Sequence, residues 1–164
     1  MDPNPNPSAV PVHPDVLALS FLLGTWRGEG LGGYPGMADF TFEQEVTFWS
    51  NGEPYLGYSS RTWGPDGTVM ALETGWWRLR GKDVELLLAH PMGVVEVWLG
   101  TLAGTRIDLA TDVVARTPSA NEVTAGRRLY GLVEHELMYA YDMAAVGQSL
   151  QPHVSARLSR SRRT

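Results

Sequence analysis

Phe40-Thr41-Phe42-Glu43-Gln44-Glu45-Val46-Thr47-Phe48-Trp49, with Asn51-Gly52 just beyond it, is the run that decides the fold. Phe40, Phe42, Val46 and Phe48 fall on one parity, and Thr41, Glu43, Glu45 and Thr47 on the other. A backbone that alternates in this way is a half-buried strand with one apolar and one wet face. Asn-Gly after it predicts a hairpin turn. The same period recurs downstream, over Tyr55 to Trp63, Thr68 to Arg80, Val84 to Ala89, Val94 to Leu102, Arg106 to Ala115, Glu122 to Val133, Leu137 to Val146 and His153 to Ser159. Turn signals such as Gly64-Pro65-Asp66-Gly67 and His90-Pro91-Met92-Gly93 separate these runs. Gly75, inside Thr68 to Arg80, predicts a bend or bulge.

Working back from Phe40, Thr25 opens one further strand, which brings the count to about ten. His13-Pro14-Asp15 opens a helical segment carrying Val16, Leu19, Leu22 and Leu23, read as one or two turns ended by Gly24. About ten short antiparallel strands form a sandwich or a barrel, and closure removes both exposed edges. The expectation is therefore all-β: a ten-stranded antiparallel up-and-down barrel with a short N-terminal helical turn. Residues 1–14, rich in proline, read as a disordered leader, 15–160 as the barrel domain and 161–164 as a basic tail. Arg157, Arg160, Arg162 and Arg163 crowd that end and read as a solubilising, frayed segment.

A net charge of −5 leaves no basic footprint, so no nucleic-acid partner is expected. No apolar run is long enough for a membrane helix, and no membrane partner is expected either. The chain has no cysteine, which removes disulfides, thiolate nucleophiles, iron–sulfur clusters and thiolate-ligated haem. A cytoplasmic location is the expectation that follows.

Four histidines remain to carry metal chemistry. They are scattered, without the paired spacing of a zinc site. His153 shares parity with Ser155 and Arg157, opposite Val154, Ala156 and Leu158, so alternation turns it away from the face those apolar residues cover. It reads either as a hydrogen-bonded surface residue or as a metal ligand, since a neutral imidazole is a standard one. His90 reads as a polar turn residue or as pocket lining. His135 sits in a hairpin tip and His13 in the leader, neither with a role. No GxSxG elbow is present, and the glycines from Gly28 to Gly33 do not join a strand to a helix as a phosphate cradle would. Of the six tryptophans most are expected to plug the barrel or its rim, with a minority left to contact a flat ligand.

Taken together, Gly24-Thr25-Trp26-Arg27-Gly28-Glu29-Gly30, Gly33-Tyr34-Pro35, Glu73-Thr74-Gly75-Trp76, Gly93-Val94-Val95-Glu96-Val97 and Gln151-Pro152-His153 resemble the nitrobindin family over about residues 16 to 159. The resemblance implies a calycin-type barrel, like lipocalins and fatty-acid-binding proteins, holding one haem b per chain. It makes His153 the axial ligand of the haem iron. Tyr34, Pro35, Gly36 and Met37 then lie beside the porphyrin, and Met143 and the Met70-Ala71 pair face the cavity. Gly24, Trp26, Gly28 and Gly30 form the family signature without touching iron. This chain departs from the family pattern in having Gly36 where relatives often carry Thr, Ala71 where some carry a distal His, and His90 where Gln is frequent.

The activity implied is that of a ferric haem protein, a peroxynitrite isomerase that turns peroxynitrite into nitrate and also binds nitric oxide. Those two small molecules are the expected partners, together with a second copy of the chain in a homodimer. Two alternatives stand beside this reading. One is a carrier of a fatty acid or other hydrophobic ligand, with Arg128 and Tyr130 gripping its carboxylate; the other is a haem-based nitric oxide sensor or carrier.

Overall fold

The structure, a computed structural model, describes residues 10–161. Its strands are β1 (Gly24–Tyr34), β2 (Met37–Trp49), β3 (Leu56–Trp63), β4 (Val69–Arg80), β5 (Asp83–His90), β6 (Val94–Ala103), β7 (Arg106–Arg116), β8 (Val123–Val133), β9 (Glu136–Ala145) and β10 (Gln151–Arg160). Each pairs antiparallel with its neighbour in sequence, and β10 returns to β1 through pairs such as Gly30↔Ala156, so the barrel closes. The up-and-down barrel expected from the alternation is the one observed. Since strands run alternately up and down, the β1–β2, β5–β6 and β9–β10 turns gather at one end, here called upper.

The lower end is plugged. Pro14–Leu22 forms a 3-10 helix, longer and tighter than the one or two turns expected. With three residues per turn, Val16, Leu19 and Leu22 stack on one side, and all three are fully buried. His13 caps this helix, its Nδ1 accepting from the Asp15 N–H at 3.1 Å, and Val12 packs on the core. Val12 and His13 thus make contacts with the body, while residues 1–9 and 162–164, with Arg162 and Arg163, lie outside the described residues. Gly24 does not end the helix; it opens β1. The Trp26 indole N–H donates to Leu22 O at 2.7 Å. Arg160 lies over the same indole at 4.4 Å and donates to the carbonyls of Leu23 and Phe21. Nor is Arg157 a free tail charge, because it pairs with Glu136 at 3.0 Å.

Above the plug the lumen is filled by a column of rings. Phe48 meets Tyr58 at 5.1 Å, Trp77 meets Tyr130 at 5.2 Å and Tyr130 meets Tyr139 at 5.0 Å. Trp26, Trp77 and Trp98 are buried, as plugs should be. The other three tryptophans correct the expectation: Trp49 and Trp76 are exposed on the outer wall, and Trp63 lies under Arg27 and Arg61.

The upper end is irregular. Ala38 and Asp39 of β2 both stand opposite Gly33, and Met70, Asp112, Thr124 and His153 are each inserted into an otherwise regular ladder. All five interruptions lie within the upper half of their strands. Bulges bend a strand and re-aim its side chains. The β7–β8 ladder also stops at Ala110↔Arg127, leaving the upper parts of those strands unpaired with each other. Gly75 shows no bulge. Its register is unbroken, and a side chain there would collide with Leu87 O, so it is a close-approach glycine. Asn51-Gly52 likewise sits within a longer loop, 50–55, instead of a two-residue turn.

Candidate functional site

His153 owes its direction to a bulge. Pro152 pairs with Asp142 and Val154 with Tyr141, so His153 has no rung of its own and escapes the alternation that would have turned it outward. Its ring instead meets Tyr34 at 5.5 Å, Tyr141 at 5.8 Å and Phe40 at 6.2 Å, all near edge-on. Phe40 and Tyr141 share the parity of the buried residues on β2 and β9, so the imidazole looks into the lumen. Nδ1 lies 3.0 Å from Gly33 O. A carbonyl only accepts, so Nδ1 carries the proton and Nε2 keeps a bare lone pair. A hydrogen bond from the far ring nitrogen to a carbonyl is the usual way a protein orients an imidazole toward a metal.

Tyr34 fixes the neighbouring wall. Its hydroxyl donates to Met143 O at 2.9 Å and accepts from the Ala145 N–H at 2.9 Å, tying the β1 rim to β9. Pro35 and Gly36 form the turn into β2, with φ of +84° at Gly36, a value glycine adopts without strain. Both are exposed, as is Met37. Ala71 has the inward parity of Gly75, Trp77 and Leu79 and yet is exposed. An inward residue open to solvent marks the mouth of the barrel, above the packed rings.

The floor beneath this mouth is ionic. Arg128 is 2% exposed, and its two terminal nitrogens each donate to a Glu73 carboxylate oxygen at 2.7 Å. Tyr58 donates to Glu73 at 2.6 Å, and the guanidinium lies 4.8 Å from both the Trp98 and Tyr141 rings. Burial pushes the Glu73 carboxyl up, but the Arg128 charge and hydrogen bonds, then His90 and Tyr58, outweigh it and hold the group at about 2. Burial raises the Tyr58, Tyr130 and Tyr139 hydroxyls, which stay neutral. Arg128 therefore has no free fork for a fatty-acid carboxylate; Glu73 already occupies it. Tyr130, the other half of that grip, accepts from Arg128 at 3.1 Å.

On the wall formed by β4, β5 and β6, His90 Nε2 hydrogen-bonds Glu96 and His90 Nδ1 lies 3.7 Å from Glu73. Sequence reasoning passed over Glu73, Glu96, Phe40 and Tyr141 as site residues. The signal for the two carboxylates was available: Glu96 shares parity with Val94 and Trp98, and Glu73 with Trp77 and Leu79. A charge on an apolar parity needs a buried partner.

Of the expected pocket residues, the structure brings together His153, Tyr34 and the backbone of Met143, whereas Pro35, Gly36 and Met37 form an exposed lip. The signature residues stand apart from these. Gly24 and Trp26 belong to the lower plug, and side chains at Gly28 and Gly30 would collide with β10 backbone and the Phe42 ring. Among the described residues no three His, Cys, Asp or Glu groups can hold a metal ion jointly. One bare imidazole nitrogen, aromatic walls and an open mouth suit instead a planar metal macrocycle that brings its own equatorial ligands. The residues present fit a haem.

A model of the THAP4-like, heme-binding beta-barrel domain matches residues 15–160. A peroxynitrite isomerase of Parafrankia sp. (strain EAN1pec) is 50% identical over 95% of this chain and 84% of its own length. A ferric nitrobindin-like protein of Kineococcus radiotolerans is 44% identical, covering 93% of this chain and 98% of its own. The crystal structure of Rv2717c from M. tuberculosis superposes with a TM-score of 0.86 at 42% identity, over 93% of this chain and all of that one.

Proposed function

The chain belongs to the THAP4-like, heme-binding beta-barrel domain family, and we propose that it is a haem b protein that isomerises peroxynitrite to nitrate. The observation that carries the reading is the inward-turned His153, its Nδ1 proton held by Gly33 O and its Nε2 free. Names borne by relatives at 44–50% identity over nearly the whole chain support it. Bound haem would supply an iron that binds and activates a small ligand. Peroxynitrite and nitrate contain the same atoms and the same charge: one O–O bond breaks, one N–O bond forms, and neither a proton nor an electron is consumed.

What the chain contributes can be derived from its own residues. His153 would hold the haem iron through Nε2, oriented by Gly33 and hemmed by Tyr34, Phe40 and Tyr141. Met143 and the lip of Pro35, Gly36 and Met37 flank the macrocycle. The Glu73–Arg128 floor, sealed by Tyr58 and Tyr130, keeps water out of the lumen below without adding net charge.

A homodimer accompanies this reading. Trp76, Leu87, Val97 and Val113 follow one another across the rungs of β4 to β7, and three of them expose 37–49% of their surface on the outer wall. A continuous apolar stripe of this kind suits a self-complementary contact. A cytoplasmic location is supported by a chain without cysteine.

The test is to mix the haem-loaded ferric protein with peroxynitrite in stopped flow and measure both decay and nitrate yield. The expected result is faster decay with nitrate as nearly the sole product, for many turnovers. Decay no faster than in buffer, with nitric oxide still bound, would leave a sensor or carrier and overturn the isomerase.

A further inference from the structure

His90 and Glu96 carry more than rim polarity. In the closed strand order β5 is five strands from β10 in either direction, so the two strands face one another across the lumen. His90 shares the inward parity of Val84, Leu86 and Leu88, which places it on the wall opposite His153. Glu96 is 2% exposed, and His90 Nε2 is its one side-chain partner among the described residues. A buried carboxylate with a single imidazole partner is stable when the two share a proton. On the same wall Glu73 is already paired with Arg128.

Facing His90 are Glu73 from β4, Glu96 from β6 and, behind Glu73, Arg128 from β8. Tyr141 from β9 is pushed up by burial first and also by these carboxylates, so it adds no charge. Nδ1 of His90 stands 3.7 Å from Glu73, too far for a hydrogen bond, because both Glu73 oxygens already serve Arg128 and Tyr58. When His90 holds the shared proton, its Nδ1–H is a donor left without an acceptor among the described residues. The His90 side chain is 22% exposed.

We propose that His90, positioned by Glu96, is the group that recognises a small anionic ligand on the face of the haem opposite His153. The inference rests on the haem reading above. It answers a difficulty of that reading: a chain of net charge −5 must draw in an anion, and His90 offers it a local hydrogen-bonding partner. His90 contacts the ligand, while Glu96 is a positioning residue.

The test compares wild-type haem protein with His90→Leu and Glu96→Gln. Fluoride and azide binding to the ferric form is read by absorption, and carbon monoxide binding to the ferrous form reports access to the iron without charge. The double variant His90→Leu/Glu96→Leu leaves no lone buried charge, so it serves where a single change does not fold. We expect each variant to lose about tenfold or more in fluoride and azide affinity, the range of one charge-assisted hydrogen bond. Carbon monoxide affinity should stay within about twofold. Anion affinities equal to wild type in folded, haem-loaded variants would overturn the proposal and leave the haem reading standing. A wild-type chain that takes up no haem would overturn both.

Discussion

The two ends of this barrel are built from the same alternating strands and behave as opposites. At the lower end every rung is regular, a 3-10 helix buries Val16, Leu19 and Leu22 completely, and Trp26 is clamped between Leu22 O and Arg160. At the upper end five register shifts break the ladders, Ala71 is inward yet exposed, and the His153 imidazole sits on one of the shifts. Regularity belongs to the plugged end, and irregularity to the open one. Between them lies the Glu73–Arg128 layer, which closes the packed half and floors the open one.

That boundary is where the comparison breaks most sharply. Arg128→Leu leaves Glu73 buried without its partner and should cost about 3–5 kcal/mol in urea unfolding. Glu73→Leu/Arg128→Leu should recover most of that loss, because an apolar pair of similar volume replaces the ion pair. Leu22→Ala tests the plug: about 2–5 kcal/mol of stability is expected to go, with the haem spectrum of the surviving folded protein unchanged. A shifted spectrum would mean that the two ends are coupled after all.

The acid limb sharpens the same boundary with a defined sign. The folded pKa of Glu73 is about 2, below its ordinary 4.5, so its contribution is complete above the ordinary value and fades as pH falls toward 2. The stability gap between wild type and Glu73→Gln should therefore narrow over that window and be constant above it. Tyr34→Phe is the smallest change. Losing the hydroxyl that joins Met143 O to the Ala145 N–H should cost about 1 kcal/mol. It should also loosen His153, read as a lower haem affinity in a protein that still folds.

How much of this was legible in the sequence follows the same division. Phe40 to Trp49 announces its strand because the ladder there is unbroken around Val46 and Phe48, and period two survives into the structure. His153 misleads because parity presumes an unbroken ladder, and the inserted residue restores it to the lumen. The length of the helix was missed because i, i+3 spacing in Val16, Leu19 and Leu22 fits a 3-10 period as well as an α-helical one. Arg128 read as a candidate grip for a ligand because its partner lies 55 residues away, on a strand four places distant in the sequence order, beyond any local pattern.

The account stands on the bond between the His153 imidazole and haem iron. Its most direct measurement is a haem titration of the purified chain and of His153→Gly, followed by absorption with and without added imidazole. The account predicts a Soret band saturating at one haem per wild-type chain, its loss in the variant, and its return when imidazole fills the gap. A variant that binds haem with the wild-type spectrum and affinity, indifferent to imidazole, would contradict it.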